Sequence, residues 1–363
     1  MSKKKKRKPI KTVNPETWKN VKLGLSTLIS NDGCIQAART FHGPADLIPI
    51  GLTLVAVVLA VLPTFVSQMN AKQSSYIFGS ASANYEAGLA EFSQSLVYDD
   101  HGVKRDTPLS LSINDEGTAY QISDADLAAL NNGANWYTVT RTTDAGTKPV
   151  FEVYFNNTDY SDADFISLIN AYKDPWNEGK TRDASGTIAE YQCSYLAFGK
   201  EGITFRKRTE SSSFTGLTGV YKRLAGYNLT TIAKELSDAG HHATSKIYLN
   251  RMHDEFVKII DDSTLDAKIG AVWAYVGIFA GVDMGLIVLF GAILFLMTRG
   301  KNNPFRVINF WETQKMSYWA CFTPSLLAMI LGFFMSQYAM LFFMFAFGMR
   351  MMWMSMRSMR PQA

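Results

Sequence analysis

Three long apolar runs interrupt an otherwise polar chain. From Leu47 to Ala71 no charged residue occurs, and Leu52–Val61 is almost entirely Leu, Val and Ala. The second run, Ile269–Thr298, holds one charge, Asp283, in 30 residues; the third, Met316–Met349, is 34 residues without any. An α-helix rises about 1.5 Å per residue, so about 20 such residues cross a hydrocarbon core of roughly 30 Å. The first run predicts a span over 47–67, and the second a span over 269–298. Trp273 and Tyr275 suit the outer interface of that second span, and Arg299 with Lys301 the inner one. One straight helix over the third run would be about 51 Å long, more than a bilayer needs. It would also send Arg350, Arg357 and Arg360 to the side opposite Lys315, against the positive-inside rule. A hairpin turning near Ser336-Gln337 avoids both problems and gives spans over 316–335 and 338–356, a basic loop 299–315 and a tail 357–363.

Between the first two spans, residues 70–266 carry the shorter periods of a folded polar domain. Helical spacing predicts helices over Asn84–Leu96, Ala125–Leu130, Asp162–Tyr172, Leu229–Leu236 and Ile247–Ile260, the last feeding the second span. Alternation predicts a strand Leu109–Ile113 turning through Asn114–Gly117 into Thr118–Ile122, a hairpin of Trp136–Thr142 with Val150–Phe155, and another of Tyr191–Phe198 with Gly202–Arg208. The expectation is an α+β domain with an antiparallel sheet. The fold class is thus a four-span membrane protein with a large extracytoplasmic domain between the first and second spans.

Charge supplies the orientation. The net +4 resolves into +7 over residues 1–46, +6 over 267–363 and −9 between them. Basic segments stay in the cytoplasm, so both termini lie inside the plasma membrane and residues 70–266 outside. The same distribution excludes a uniformly basic nucleic-acid binder, and no nucleic-acid partner is expected. About 46 residues precede the first apolar run, so it reads as a retained anchor and not a cleaved signal.

Residues 1–46 form a basic arm. Lys3, Lys4, Lys5, Lys6, Arg7 and Lys8 match a nucleic-acid patch on composition alone. In a membrane-anchored chain they read as an orientation signal that also touches anionic lipid headgroups. Asn14-Pro15-Glu16 starts a helix, whose stripe Trp18, Val21, Leu25 and Leu28 suits the lipid interface or the inner ends of the spans. Asn31-Asp32-Gly33 is expected to end it, before a short helix Ile35–Phe41.

Candidate chemistry is sparse. Cys193 is the only cysteine of residues 70–266, so no disulfide forms within them, and in an alternating strand it reads as a packing residue. His241 and His242 are adjacent and point apart, and no zinc signature occurs. No nucleophile elbow or phosphate loop is present. Asp99-Asp100-His101-Gly102 reads as a polar loop. Asn156 and Asn228 stand in Asn-x-Thr sequons. No catalytic residue, metal or cofactor is expected. The Met-rich end (Met335 to Met359) reads as flexible apolar filling, and Arg350 as reaching the headgroups.

Two features lie within the second span. Gly277, Gly281 and Gly285 repeat every fourth residue, the spacing that lets helix backbones approach closely, either another span or a partner subunit in a homo-oligomer. Asp283 lies between them, and an intramembrane acid is a functional candidate for a proton, ion or substrate; the alternative is a local hydroxyl or backbone partner.

Leu25-Ser26-Thr27-Leu28, Asn31, Ala37-Ala38-Arg39, the span ending Leu62-Pro63, and Tyr318-Trp319-Ala320-Cys321-Phe322-Thr323-Pro324-Ser325-Leu326-Leu327 carry a resemblance. Together they are similar to the bacterial membrane proteins called maltodextrin-utilization proteins, a domain of unknown function distantly like Yip-type proteins. The resemblance covers roughly 40% of the chain. It implies a non-enzymatic accessory of carbohydrate uptake working beside an ABC importer or solute-binding protein, and it brings no catalytic residues. The alternatives are a transport or gating subunit using Asp283, and an envelope enzyme acting through outer-domain carboxylates.

Overall fold

The computed structural model describes residues 15–79, 82–131, 134–143, 146–182, 193–208, 214–299 and 304–358. The Lys3–Lys8 cluster, Lys301 and Arg360 lie outside the described residues. The chain divides into two compact units, residues 1–71 with 270–363, and residues 72–269.

The arm supplies α1 (Pro15–Ser26) and α2 (Asn31–Thr40). Here Asn31-Asp32-Gly33 begins a helix, against the expectation that it ends one. The Ser30 hydroxyl accepts from Gly33 N at 3.3 Å, and Asp32 lies in the first turn, where a negative charge favours the helix dipole. Glycine is required at 33, because a Cβ would fall within 3.0 Å of the Ser26 backbone. Along α1, Trp18, Val21 and Leu25 stay exposed, whereas Cys34, Ile35, Ala37 and Ala38 of α2 are buried in the unit's core. The first apolar run is α3 (Leu47–Asn70).

In the second unit the helices are α4 (Ser74–Phe78), α5 (Ala83–Ser95), α6 (Asp124–Leu130), α7 (Asp162–Asn170), α8 (Leu229–Asp238) and the first part of α9 (Lys246–Met297), which continues into the first unit from residue 270. Ser123, Ser161 and Asn228 cap α6, α7 and α8 through their side-chain oxygens, which sets where each begins. Two small hairpins are β1 (Ser112–Ile113) with β2 (Tyr120–Gln121), and β5 (Lys173–Asp174) with β6 (Lys180–Thr181). The main sheet holds β3 (Trp136–Thr143), β4 (Gly146–Phe155), β7 (Ser194–Phe198), β8 (Gly202–Arg208) and β9 (Phe214–Val220), in spatial order β3-β4-β7-β8-β9.

The expected antiparallel sheet is in fact mixed, since β4 and β7 pair in parallel. A parallel neighbour needs a long crossover, and α7 with the β5–β6 hairpin lies within it. Alternation along β4 explains what each face holds. Phe151, Val153 and Phe155 enter the main core with Leu89 and Phe92 of α5 and Phe256 of α9. Tyr154 faces the other way, into a smaller cluster with Phe165, Ile169 and Tyr195. Both faces are covered, so Val150–Phe155 is apolar apart from Glu152, whose charge Arg182 meets. On β9, a side chain at Gly219 would collide with Ser263, so α9 lies hard against that edge strand. β3, the opposite edge, has no strand beyond it among the described residues.

The expected helix Ile247–Ile260 and the second apolar run are one continuous helix, α9. The third run departs more from expectation. It is preceded by a helical segment and broken near one end, giving α10 (Phe310–Ala320), α11 (Phe322–Phe334) and α12 (Ala339–Trp353), with the reversal at Ser336–Tyr338 as expected. Among the described residues four helices are long and apolar enough to cross a membrane: Gly43–Asn70, Lys246–Met297, Phe310–Phe334 and Ser336–Met356.

Pro324 explains the break at Cys321. It has no N–H to give to Ala320 O four residues back. Arg350 of α12 fills that vacancy, its Nη1 donating to Ala320 O at 2.9 Å. The same guanidinium donates to Thr27 O just past the end of α1 and, through Nε, to Asn31 Oδ1 at 3.3 Å. Arg350, expected at the headgroups, ties the arm to the end of α10 through these bonds.

Candidate functional site

A cleft of about 620 Å³ opens beside β3 in the second unit. Its wall comes from four separated segments: Glu91, Gln94 and Ser95 of α5; the loop Tyr98–Arg105; Asn131 at the end of α6; and Trp136–Thr140 of β3. Ala243 and Thr244, before α9, close one side.

Most charged groups around this cleft already have partners. Arg141 of β3 forms an ion pair with Glu91. Arg105 Nε donates to Ser95 O at 3.3 Å and Tyr98 O at 3.1 Å, pinning the loop to α5. Asp99 Oδ1 accepts from His101 N at 3.0 Å and Val103 N at 2.7 Å, so the acidic tetrapeptide is a self-capped loop, as expected. Gln94 Oε1 accepts from Ala243 N. Burial pushes the Tyr137 phenol up to about 12, so it stays a neutral hydroxyl at physiological pH.

Asn131 breaks this pattern. It is 5% exposed, and its Oδ1 has no hydrogen-bond partner. An orphaned buried acceptor costs about 1–3 kcal/mol, which a bound donor recovers. With Tyr98 and Tyr137 alongside, the lining combines the buried, unpartnered Asn131 oxygen, polar side chains and aromatic rings, the usual make-up of a small-molecule site.

A second cluster lies on the other face of the sheet. Arg182 Nη1 donates to Glu152 at 3.2 Å and to the Tyr154 hydroxyl at 2.6 Å. Its guanidinium lies 4.2 Å from the Trp136 ring centroid and 4.9 Å from that of Tyr154, so π faces and a carboxylate share its charge. Burial, followed by the Glu152 charge, raises the Cys193 thiol well above its ordinary range. Cys193 stands immediately before β7 and not within the strand as expected, and its buried thiol is an unreactive packing group. Asn156 of the first sequon is buried, its amide donating to Asp162 at 2.8 Å and Tyr160 O at 3.2 Å. Among the described residues no group of three His, Cys, Asp or Glu converges as metal ligands.

In the first unit Asp283 is 1% exposed and its Oδ1 lacks a partner. Gly277, Gly281 and Gly285 lie on a different, exposed face of α9, where an added Cβ meets nothing within 4 Å. Among the described residues they make no packing seam with another span. The close approaches occur at glycines that the spacing argument passed over. A Cβ at Gly291 would lie 2.8 Å from the Gln314 side chain, and one at Gly332 within 2.9 Å of both Ala339 and Pro63. Gln314 itself was missed because it precedes the third apolar run; the polar positions Thr313, Gln314 and Ser317, on one face of α10, were the available signal.

Compared with known proteins, the chain matches no family model, no curated protein and no solved structure.

Proposed function

We propose that the chain is a non-enzymatic, multi-pass protein of the plasma membrane, both termini inside, that serves carbohydrate uptake. The unit 72–269 stands outside and holds a maltodextrin-type saccharide for an ABC importer or its solute-binding protein. The observation that carries this reading is the cleft with its orphaned Asn131 oxygen. A sugar hydroxyl both donates and accepts, so it satisfies Asn131 while neighbouring rings stack on the apolar face of a pyranose. The engaged state of Glu91, Arg105 and Asp99 favours binding over acid–base chemistry and weighs against the envelope-enzyme reading. The resemblance of the arm and the closing spans supports the same association, and the segmental charge supports the sidedness.

Crosslinking in native membranes tests the partnership. Recovery of an importer subunit or a solute-binding protein joined to residues of 72–269 is expected. Recovery of self-association alone contradicts it. The transport reading rests on a separate observation, the buried Asp283, developed next.

A further inference from the structure

Asp283 is the only ionisable side chain among residues 273–298 apart from Tyr275. It shares a buried face of α9 with Ile287, Gly291, Leu294 and Thr298, and its Oδ1 is unpartnered. Two sets of contacts fix its height. Phe310 against Phe295, Gln314 against Gly291, and Ser317 Oγ to Ile287 O at 2.6 Å pair α10 antiparallel with α9. Extended by one turn, that register sets Asp283 level with Cys321, the break between α10 and α11. On α3, Phe65 meets Trp273 and Thr53 meets Cys321, which brackets the same height. A buried carboxylate at this height, opposite the one backbone bond that Pro324 cannot donate, is an intramembrane functional candidate.

From that height a polar face leads to the end of α10. Ser317 holds Ile287 O, Gln314 Nε2 donates to Val288 O at 3.1 Å, and Thr313 Oγ1 donates to Phe310 O at 2.7 Å. Gln314 is 2% exposed, and its Oε1 is a second orphaned acceptor. Residues 47–70 and 316–349 contain no charged side chain, and their titratable side chains are Tyr318, Cys321 and Tyr338; of the charges just beyond them, Glu312 caps the start of α10, Lys315 pairs with Asp46, and Arg350 is taken up by Ala320 O, Thr27 O and Asn31 Oδ1. An isolated carboxylate there must be neutralised. A metal cation is a poor candidate, because hard cations want about six oxygens and the two orphaned oxygens are separated by roughly 12 Å of helix rise. A proton needs only one.

We propose that Asp283 is a proton-binding site within the membrane unit, and that its proton exchanges with water at the Asn309 end along the Ser317–Gln314–Thr313 face. The O–H bond forms on the carboxylate when the proton arrives and breaks when it returns to water. This proposal is independent of the saccharide reading, since it involves no residue of 72–269.

Infrared difference spectroscopy on the full chain in lipid nanodiscs tests it. At neutral pH a protonated-carboxyl C=O band is expected in the native protein, absent in Asp283→Asn and displaced in Asp283→Glu, which retains a carboxyl if the Asn variant misassembles. After transfer to D₂O the band should shift, several-fold more slowly in Gln314→Leu. A band unchanged in both Asp283 variants overturns the site. Exchange in Gln314→Leu at the native rate overturns the pathway.

Discussion

Replacing Arg350 with Met should destabilise the membrane unit, and Pro324→Ala should relieve part of the loss. Arg350 donates to Ala320 O at 2.9 Å, to Thr27 O and to Asn31 Oδ1. Hydrogen bonds from a charged donor contribute about 1.5–3 kcal/mol each, less whatever water recovers, so a cost of about 2–4 kcal/mol is expected. Ala320 O is orphaned only because Pro324 has no N–H. Alanine at 324 restores that donor within the helix. In Arg350→Met the carbonyl then keeps a partner, and the double-mutant cycle should show coupling of about 1 kcal/mol. The assay is reversible unfolding of the full chain in mixed micelles, by denaturant, for the native protein, both single variants and the double variant. Additive effects would refute this tie. So would an Arg350→Met variant as stable as the native chain, which would return Arg350 to the headgroups.

Three further outcomes follow from packing and charge. Gly88→Ala places a Cβ within 2.5 Å of the Phe151 side chain, and overpacking of this kind costs about 1–3 kcal/mol, read as a lowered unfolding midpoint. Gly291→Val should destabilise by a similar amount because Gln314 occupies the space, whereas Gly281→Val, with nothing within 4 Å, should leave the monomer's stability unchanged and alter only self-association, read by sedimentation in detergent. Lys104 and Lys234 hold the Asp238 carboxyl down to about 2. Its folded pKa is depressed, so its contribution is complete above the ordinary value of 3.8 and is lost as pH falls towards 2. The stability difference between native protein and Lys104→Met should therefore shrink over that acid window, and a difference independent of pH would contradict the pairing.

How much of this was legible in the sequence follows from how local each signal is. Spans α3 and α9 are uninterrupted apolar runs, readable by length alone. α10 was missed because Glu312, Gln314, Lys315 and Ser317 make it polar, and because the consequence of Pro324 appears only when Arg350, distant in sequence, fills the vacancy. Gly277, Gly281 and Gly285 have the right spacing, but spacing cannot say which face of a helix is covered; Gly291 and Gly332 carry the close approaches. Strand β9 (Phe214–Val220) escaped notice because its two glycines and two threonines dilute the alternation. The parallel pairing of β4 with β7 depends on a long crossover with no local mark. The same holds for the cleft, whose wall joins residues around 91–105, 131, 136–140 and 243–244. Asn131 lies at an ordinary helix end, and only burial reveals its unsatisfied oxygen.

The central claim is that this cleft holds a saccharide, and calorimetric titration of the full chain in nanodiscs with a linear maltodextrin tests it most directly. Saturable binding is expected, weakened about tenfold in Asn131→Leu, the equivalent of one hydrogen bond of about 1.4 kcal/mol. Absence of binding, or binding of equal strength in Asn131→Leu, would contradict it.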